Sequence, residues 1–416
     1  MASSDRSTSS ALRAKAASVA GRLAAAGHEA VFAGGCVRDR LLGLEPREYD
    51  IATSATPEEI REVFPRAIGV GEAFGVMLLR DRGATFEIAT FRADREYEDG
   101  RRPSGVVFTD AAADARRRDF TINGLFEHPA TGEVIDHVGG VADLEARVLR
   151  AIGDPAQRLA EDRLRAVRAV RFAAGLGLTI DPGTEAAIVG LGGDLTGISC
   201  ERFGQELRRV LAHPTRARAV ELMERWGLDA AMLGTHRRGT HPRVVGLAPE
   251  AGLEAALAAW MLDRGAVENP ASSAADLQRR LGLSNAERDA VAAIWRVHGI
   301  LRSTWSTSTV AARRRLAMET AFDAALELLR AESATSAAGV EADLSVFGPE
   351  RSPARWVRGA SLIAAGIAPG PALGRVLEAT FDAQLEGRVR TPAEALDHAL
   401  RLAAAADDPV ADLRRE

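Results

Sequence analysis

An α/β head followed by an all-α remainder is the fold class this sequence predicts, and three observations predict it. Strand-like and helix-like stretches alternate through the first third of the chain. From about Asp154 the periodicity turns almost wholly helical, and no apolar run is long enough to span a bilayer. At 416 residues the chain exceeds the usual size of one core, so two or more packed units are expected.

The elements follow in order. Residues 1–11 read as a disordered tail, overlapping the start of an amphipathic helix from about Ser10 to Ala26. This Ser-, Ala- and Arg-rich start superficially resembles a transit peptide, but it lacks an apolar segment and runs straight into a strand. AVFAGG (30–35) reads as a strand ending in glycines, and VRDRLLG as a short helix closed by Gly43. Tyr49 to Thr53 is a second strand. Thr56 and Glu59 then form a capping box, with Pro57 at the first helical position. GVMLLR (75–80) and TFEIATFR (85–92) are further strands joined by the turn Asp81-Arg82-Gly83. Asp154-Pro155 starts the helical part, with helical periodicity from Gln157 to Leu176. More helices are predicted near 200–212, 215–226, 251–264, 273–298, 309–331 and 371–386, with connections near 234–248 and 332–354.

Composition excludes several classes. Hydrophobic residues at 46% and charged residues at 27% fit a soluble globular chain rather than a disordered one. The only cysteines, Cys36 and Cys200, lie far apart and lack zinc-site spacing, which fits a reducing cytoplasm. The scattered histidines form no HExxH string. A net charge of −5 argues against wholesale nucleic-acid coating, so any RNA binding has to come from local arginine clusters.

Five segments carry candidate chemistry. Gly34 and Gly35 at a strand end let backbone approach a ligand closely, and Arg38 can clamp a triphosphate; such a pair also serves simply as a turn. Glu48 and Asp50, two apart on a strand, project to one face as a magnesium-holding pair or as a solvated edge. Glu87, between apolar neighbours, is either an exposed position or a third carboxylate that binds metal or takes a proton from an attacking hydroxyl. Arg116-Arg117-Arg118 is either a basic surface loop or a phosphate-neutralising cluster, with Asp119 or Asn123 available to ribose hydroxyls.

The fifth segment runs from Glu161 to Phe172. On a continuous helix Asp162 and Arg165 are neighbours, presenting an acceptor beside a forked donor. Cytosine and adenine each carry an exocyclic amine next to an acceptor ring nitrogen, so such a pair can read both without a template; uracil and guanine turn a carbonyl towards the carboxylate. The competing reading is an ordinary Glu161–Arg165 ion pair. Arg168 lies one turn on, and Arg171 about half-way round the helix from Asp162.

In this order the strings GGCVRDRLLG, YDIATSATPEEI, FGVMLL, FEIATFR, YEDGRRPSGVVF, RRRDFTING, VIDHVGGVADL, RAIGDPAQRLAEDRLRAVRAVRF and ISCERFGQELRRVL resemble the class II CCA-adding enzymes and bacterial poly(A) polymerases of the polymerase-β-like nucleotidyltransferase superfamily. The likeness covers about residues 12–233 and resumes at 362–389. It implies a catalytic head over 12–150, a base-reading neck over 151–215, a helical body over 216–300 and a tRNA-binding tail over 301–416. It also implies that Gly35, Arg38 and Arg118 contact the nucleotide, that Asp162 and Arg165 read the base with Arg168 and Arg171 completing the site, and that Asp50 binds Mg²⁺. Loop 97–105 would help switch from C to A addition.

The family's first metal position is Asp, and here it is Glu48, whose extra methylene shifts the carboxylate while Mg²⁺ holds its ligands near ~2.1 Å. Direct binding, binding through water and a preference for Mn²⁺ all stay open. The implied activity is addition of CMP and AMP from CTP and ATP to tRNA 3′ ends, with release of pyrophosphate through two metal ions. A poly(A) polymerase, a CC- or A-adding enzyme, and an inactive RNA-binding relative are the alternatives. Arg313-Arg314-Arg315 is either a tRNA contact or a solvated helix face. No segment calls for a protein partner or a membrane.

Overall fold

The computed structural model describes residues 2–94, 106–234, 240–347, 351 and 353–406. The chain divides into two units, Met1–Arg238 with Arg279–Gly282, and Gly239–Gln278 with Leu283–Glu416. This division falls later than the expected border between neck and body at 215/216. Loop 97–105 lies outside the described residues.

The first unit is built on a seven-stranded mixed sheet. Helix α1 (Ala2–Ala25) begins where a disordered tail through residue 11 was expected. It buries Ala16, Val19, Ala20 and Leu23, a single stripe at helical spacing, and ends before Gly27 at φ 93°. Strand β1 (Ala30–Ala33), helix α2 (Gly35–Leu41), strand β2 (Asp50–Thr53) and helix α3 (Pro57–Val63) follow. The predicted capping box at α3 is formed: the Glu59 amide donates to Thr56 Oγ1 at 3.4 Å, and the Thr56 amide donates to Glu59 Oε2 at 2.8 Å.

Strands β3 (Ile68–Gly71), β4 (Val76–Asp81) and β5 (Ala84–Thr90) come next, then a separate ribbon of β6 (Arg92–Asp94) and β7 (Val106–Phe108). Helix α4 (Ala111–Arg116), strands β8 (Leu125–Glu127) and β9 (Val134–Asp136) and helix α5 (Gly140–Glu145) complete the head. The sheet order is β3-β4-β5-β2-β1-β8-β9, with only the β2–β5 pair parallel. All four residues of β1 are buried, because both faces of this central strand are covered. Val31 and Ala33 join Ala52, Phe91, Ala111, Ala115 and Phe126 in one core, while Phe32 on the other face packs on Tyr49 at 5.0 Å.

Beyond the head, β10 (Val148–Leu149) pairs in parallel with β11 (Thr179–Ile180). Between them the expected helix from Gln157 to Leu176 is broken in two, α6 (Pro155–Glu161) and α7 (Leu164–Gly175). Asp154 caps α6 as predicted, accepting from the Ala156 amide at 2.8 Å, with Pro155 in the first turn. Helices α8 (Pro182–Gly190), α9 (Cys200–Leu211), α10 (Arg216–Arg225) and α11 (Leu228–Leu233) complete this unit's helical part.

The second unit is helical throughout its described residues. It comprises α12 (Pro242–Gly246), α13 (Leu253–Asp263), most of α14 (Pro270–Leu281), α15 (Asn285–Ser303), α16 (Val310–Ala317), α17 (Phe322–Glu332), α18 (Ala334–Phe347), α19 (Gly359–Ala364), α20 (Pro371–Leu385) and α21 (Pro392–Ala406). Several expectations fail here: the 309–331 stretch is two helices, α16 and α17, and α12 lies in the connection predicted at 234–248. The 273–298 stretch is two helices parted at Gly282, which stands at φ 59°, and α18 fills most of the connection predicted at 332–354. Leu362, Leu373, Val376, Ala383, Ala395 and Ala399 form one core of this unit.

The Arg313-Arg314-Arg315 run is neither a solvated face nor an open basic patch. Arg313 binds Asp343 at 2.9 Å and Arg315 binds Asp382 at 2.6 Å, while Arg314 donates to the backbone carbonyls of Leu385 and Phe347.

Candidate active site

The acidic part of the site is set by sheet register. Asp50 opens β2 opposite Ala33, the last residue of β1, and so stands beside the Gly34-Gly35 turn. The parallel pair begins Ile51 to Ile88, so Asp50 and Glu87 each precede it by one residue and share a sheet face. Glu48 lies just before β2 rather than on it, and it is exposed, while Tyr49 between the two acids is buried.

The three carboxylates feel one another. Burial first, then the charges of Glu87 and Glu48, push Asp50 up to about 7, against the lowering effect of Arg118. Desolvation and then Glu48 likewise raise Glu87, opposed by Arg92 and Arg118. Among the described residues no three His, Cys, Asp or Glu side chains are gathered closely enough to form a finished metal site. The donor set nevertheless suits a hard cation: oxygen donors only, with surplus negative charge that repels itself.

Gly34 is required by its backbone. It sits at φ 69° and ψ −117°, where a side chain is strained, and an added Cβ would lie 2.9 Å from Arg118 Nη1. Arg118 is held in that place by three bonds: Nε and Nη2 donate to Asp114 Oδ2 at 3.1 and 2.9 Å, and Nη1 donates to the Asn123 carbonyl at 3.1 Å. Gly35 is far less crowded, its nearest neighbour being Arg38 Nη2 at 3.7 Å.

From Arg38 a run of bonded side chains leads to the helical part of the same unit. Arg38 is buried and donates through Nε to Asp39 at 2.8 Å and through Nη1 to Asn123 Oδ1 at 2.6 Å. Asn123 Nδ2 donates to Asp119 Oδ1 at 3.0 Å, and Arg168 Nε donates to Asp119 Oδ2 at 2.8 Å. Glu206, buried on α9, receives Arg171 at 2.7 Å and Arg168 at 3.5 Å. The Phe172 ring lies under Arg38, Arg168 and Arg171, with centroid distances of 5.1, 5.4 and 4.1 Å.

Asp162 and Arg165 are not neighbours on one continuous helix. Asp162 has extended backbone at the corner between α6 and α7, φ −151° and ψ 103°, and its carboxylate pairs with Arg202 of α9 at 2.7 Å. Arg165 is buried and forms the ordinary ion pair with Glu161 at 2.6 Å, while also donating to the Arg158 carbonyl at 2.7 Å. Sequence reading missed Arg202, Glu206 and Asp114 as partners. A faint signal for the first two was available, since Arg202 and Glu206 lie four apart in ISCERFGQELRRVL and so on one face of α9.

Two family models match this chain. Residues 30–150 match the poly(A) polymerase head domain, and residues 177–233 match the probable RNA- and SrmB-binding site of polymerase A. A CCA-adding enzyme of Anoxybacillus flavithermus is 42% identical over 205 residues, 49% of this chain and 51% of that one. One from Lactiplantibacillus plantarum is 46% identical over 193 residues, 46% and 47% of the two chains. The matched stretch thus spans about half the length of these relatives. In structure, the Bacillus stearothermophilus CCA-adding enzyme in complex with CTP superposes with a TM-score of 0.78 at 28% identity, covering 94% of this chain and 98% of that one.

Over residues 30–150 and 177–233 the chain resembles the poly(A) polymerase head and RNA-binding domains, and its fold is similar to that of the CCA-adding enzymes. A Thermotoga maritima CCA-adding enzyme complexed with tRNA also shares the fold, with a TM-score of 0.69 at 20% identity over 92% of this chain and 94% of that one. Both the carboxylate cluster and the start of the arginine run lie inside the head-domain match. The α6–α7 corner falls between the two matched stretches, and α9 falls within the second. The head-domain match implies the use of a divalent metal ion.

Proposed function

We propose that this chain is a tRNA nucleotidyltransferase that adds CMP and AMP, from CTP and ATP, to the tRNA 3′ end and releases pyrophosphate. One observation carries the reading. In a single unit, crowded carboxylates stand next to a glycine turn, and bonded side chains run from that turn through Arg38, Asn123, Asp119 and Arg168 towards the helix that begins at the Asp162 corner. A triphosphate anchored at one end and a base at the other accounts for both ends of that run.

Glu48 and Asp50, with Glu87 beside them, would hold Mg²⁺, or Mn²⁺ if the longer Glu48 arm favours it. Bound there, the metal supplies charge that favours ionisation of the attacking 3′-hydroxyl and offsets charge on the departing pyrophosphate. The raised proton affinity of Glu87 suits it to take the hydroxyl proton. Arg118, fixed beside Gly34, and Arg38 offset phosphate charge. Asp162 accepts from the exocyclic amine of cytosine or adenine, and Arg165 donates to the adjacent ring nitrogen once its guanidinium is shared with, or leaves, Glu161. Arg168 holds Asp119 and Arg171 holds Glu206, so both shape the site beneath the base. The tRNA substrate and two free cysteines fit a cytoplasmic protein.

The test uses purified protein, Mg²⁺ or Mn²⁺, and tRNA transcripts ending before CCA, after C and after CC, with each labelled nucleotide supplied separately. Addition of C, C and then a single A is the expected result. Long A tails would instead identify a poly(A) polymerase. Retained tRNA binding without incorporation in either metal would identify an inactive relative.

A further inference from the structure

An ionised carboxylate has about four lone-pair sites, and at Asp162 three of them are in use. Oδ1 accepts from the Leu164 amide at 3.1 Å and from Arg202 Nη1 at 3.4 Å, and Oδ2 accepts from Arg202 Nη2 at 2.7 Å. The Leu164 amide is among the first of α7, which have no partner within the helix, so this bond ties the acid to the helix start. Alone, it would leave the carboxylate free to pivot about its Cβ–Cγ bond.

Arg202 removes that freedom. Its planar guanidinium grips both oxygens, and its own backbone is fixed in the first turn of α9, where the Arg202 amide donates to Ser199 Oγ at 3.5 Å. Next to it, Phe203 and Leu207 anchor α9 in the core. One acceptor position remains on Oδ2 among the described residues, with its direction set by the carboxylate plane.

We infer that Arg202 is a positioning residue for base selection. It holds the Asp162 plane so that the remaining lone pair meets an exocyclic amine and repels a carbonyl in the same place. It acts through Asp162 and does not touch the nucleotide, so the inference rests on reading Asp162 and Arg165 as the base-recognising pair. Without Arg202 the carboxylate can rotate away from a uracil carbonyl, and discrimination against UTP is what falls. A purely structural salt bridge would instead weaken all nucleotides alike.

The experiment measures kcat/KM for CTP and for UTP on a tRNA ending before CCA, using the full chain and the variants Arg202→Ala, Arg202→Gln, Arg202→Lys and Asp162→Ala, with melting curves for each. In Arg202→Ala the preference for CTP over UTP is expected to fall about tenfold or more, the scale of one lost polar discrimination. UTP incorporation should persist and Arg202→Lys should recover part of the preference. If Arg202→Ala gives no cooperative melting transition, Arg202→Gln, which keeps the side-chain stem and an amide donor, carries the test with a smaller loss of preference. An unchanged CTP-to-UTP ratio in the folded variant, whether both rates fall together or neither does, overturns the inference. An unchanged ratio in Asp162→Ala overturns the base-recognising role itself, and the two failures are thereby told apart.

Discussion

The Arg168 guanidinium donates through Nε to Asp119 Oδ2 at 2.8 Å, and its Nη2 lies 2.7 Å from the same oxygen as an ion pair. The other oxygen accepts from the Phe120 amide at 2.8 Å and from Asn123 Nδ2 at 3.0 Å. Both oxygens of this buried acid are therefore engaged, and the residue joins a head loop to α7.

A pH dependence follows from that pairing. Burial alone would raise the Asp119 pKa, but Arg168, Asn123 and the Phe120 amide together outweigh it and bring the group down to about 2, against an ordinary value of 3.8. A depressed folded-state pKa means stability that is fully present above 3.8 and is lost as pH falls towards 2. Its size is on the order of 2 kcal/mol. Asp119→Asn is expected to melt lower than wild type at pH 7, because Arg168 then loses its nearer counter-charge and keeps only Glu206 at 3.5 Å. Between pH 4 and pH 2 its melting temperature should fall less steeply than that of wild type. Parallel curves across that range would show that the bonds do not favour the ionised acid.

Gly34 gives a second prediction. Its φ of 69° with ψ of −117° costs a non-glycine residue roughly 1–3 kcal/mol, and the new Cβ would push against an Arg118 that is pinned on Asp114 and Asn123. Gly34→Ala should lose a few degrees of melting temperature and a much larger fraction of nucleotide incorporation, since the displaced guanidinium is the one whose charge acts on Asp50. Gly35→Ala, whose Cβ meets nothing closer than 3.7 Å, is the control and should be milder. Equal loss in both variants would contradict this account.

These residues also show what the sequence made legible. Local rules served well wherever a few adjacent residues decide the outcome. The capping box at Thr56 and Glu59, the Asp154-Pro155 helix start and the strand at Ala30 all appear, because caps, prolines and a short apolar run closed by glycines act over a few residues. The Asp162 corner was misread for the same reason. Residues 157–176 have helical periodicity throughout, yet Asp162 is extended, its carboxylate accepting from the Leu164 amide and pairing with Arg202, forty positions away. Arg313 to Arg315 were misread in the same manner: a charge run says nothing about which carboxylates and carbonyls other helices bring to it. Pairings of that kind are invisible to spacing.

Like-charge crowding at the sheet edge predicts an opposition between stability and activity. Asp50 is partly buried and shares its surroundings with Glu48 and Glu87, so its negative charge costs stability when no cation is present. Asp50→Asn should therefore melt at the same temperature as wild type or higher in EDTA, while incorporating at least about a thousandfold less nucleotide, the scale expected when charge stabilisation at the reacting atoms is lost. Adding Mg²⁺ or Mn²⁺ should raise the melting temperature of wild type and leave that of Asp50→Asn unchanged. A variant stabilised by the metal as much as wild type would exclude Asp50 as a ligand.

Arg314 separates a structural from an RNA-binding role for the basic run. Leu385 ends α20 and Phe347 ends α18, so both carbonyls lack a partner within their own helices. Arg314 Nη1 donates to the Leu385 carbonyl at 2.9 Å, Nη2 donates to that of Phe347, and the guanidinium lies 5.1 Å from the Phe347 ring centroid. A cation at two helix C-termini is also favoured by their dipoles. Arg314→Ala removes both charge-assisted bonds and should cost roughly 2 kcal/mol, about 2–4 °C of melting temperature per kcal/mol in a unit of this size. A phosphate contact would behave differently, weakening tRNA binding and lowering the slope of affinity against salt by about one. Because its donors already serve two carbonyls, Arg314→Ala should shift the melting curve of the second unit and leave the salt slope of tRNA binding where it was. A changed slope with an unchanged melting temperature would reassign Arg314 to the RNA.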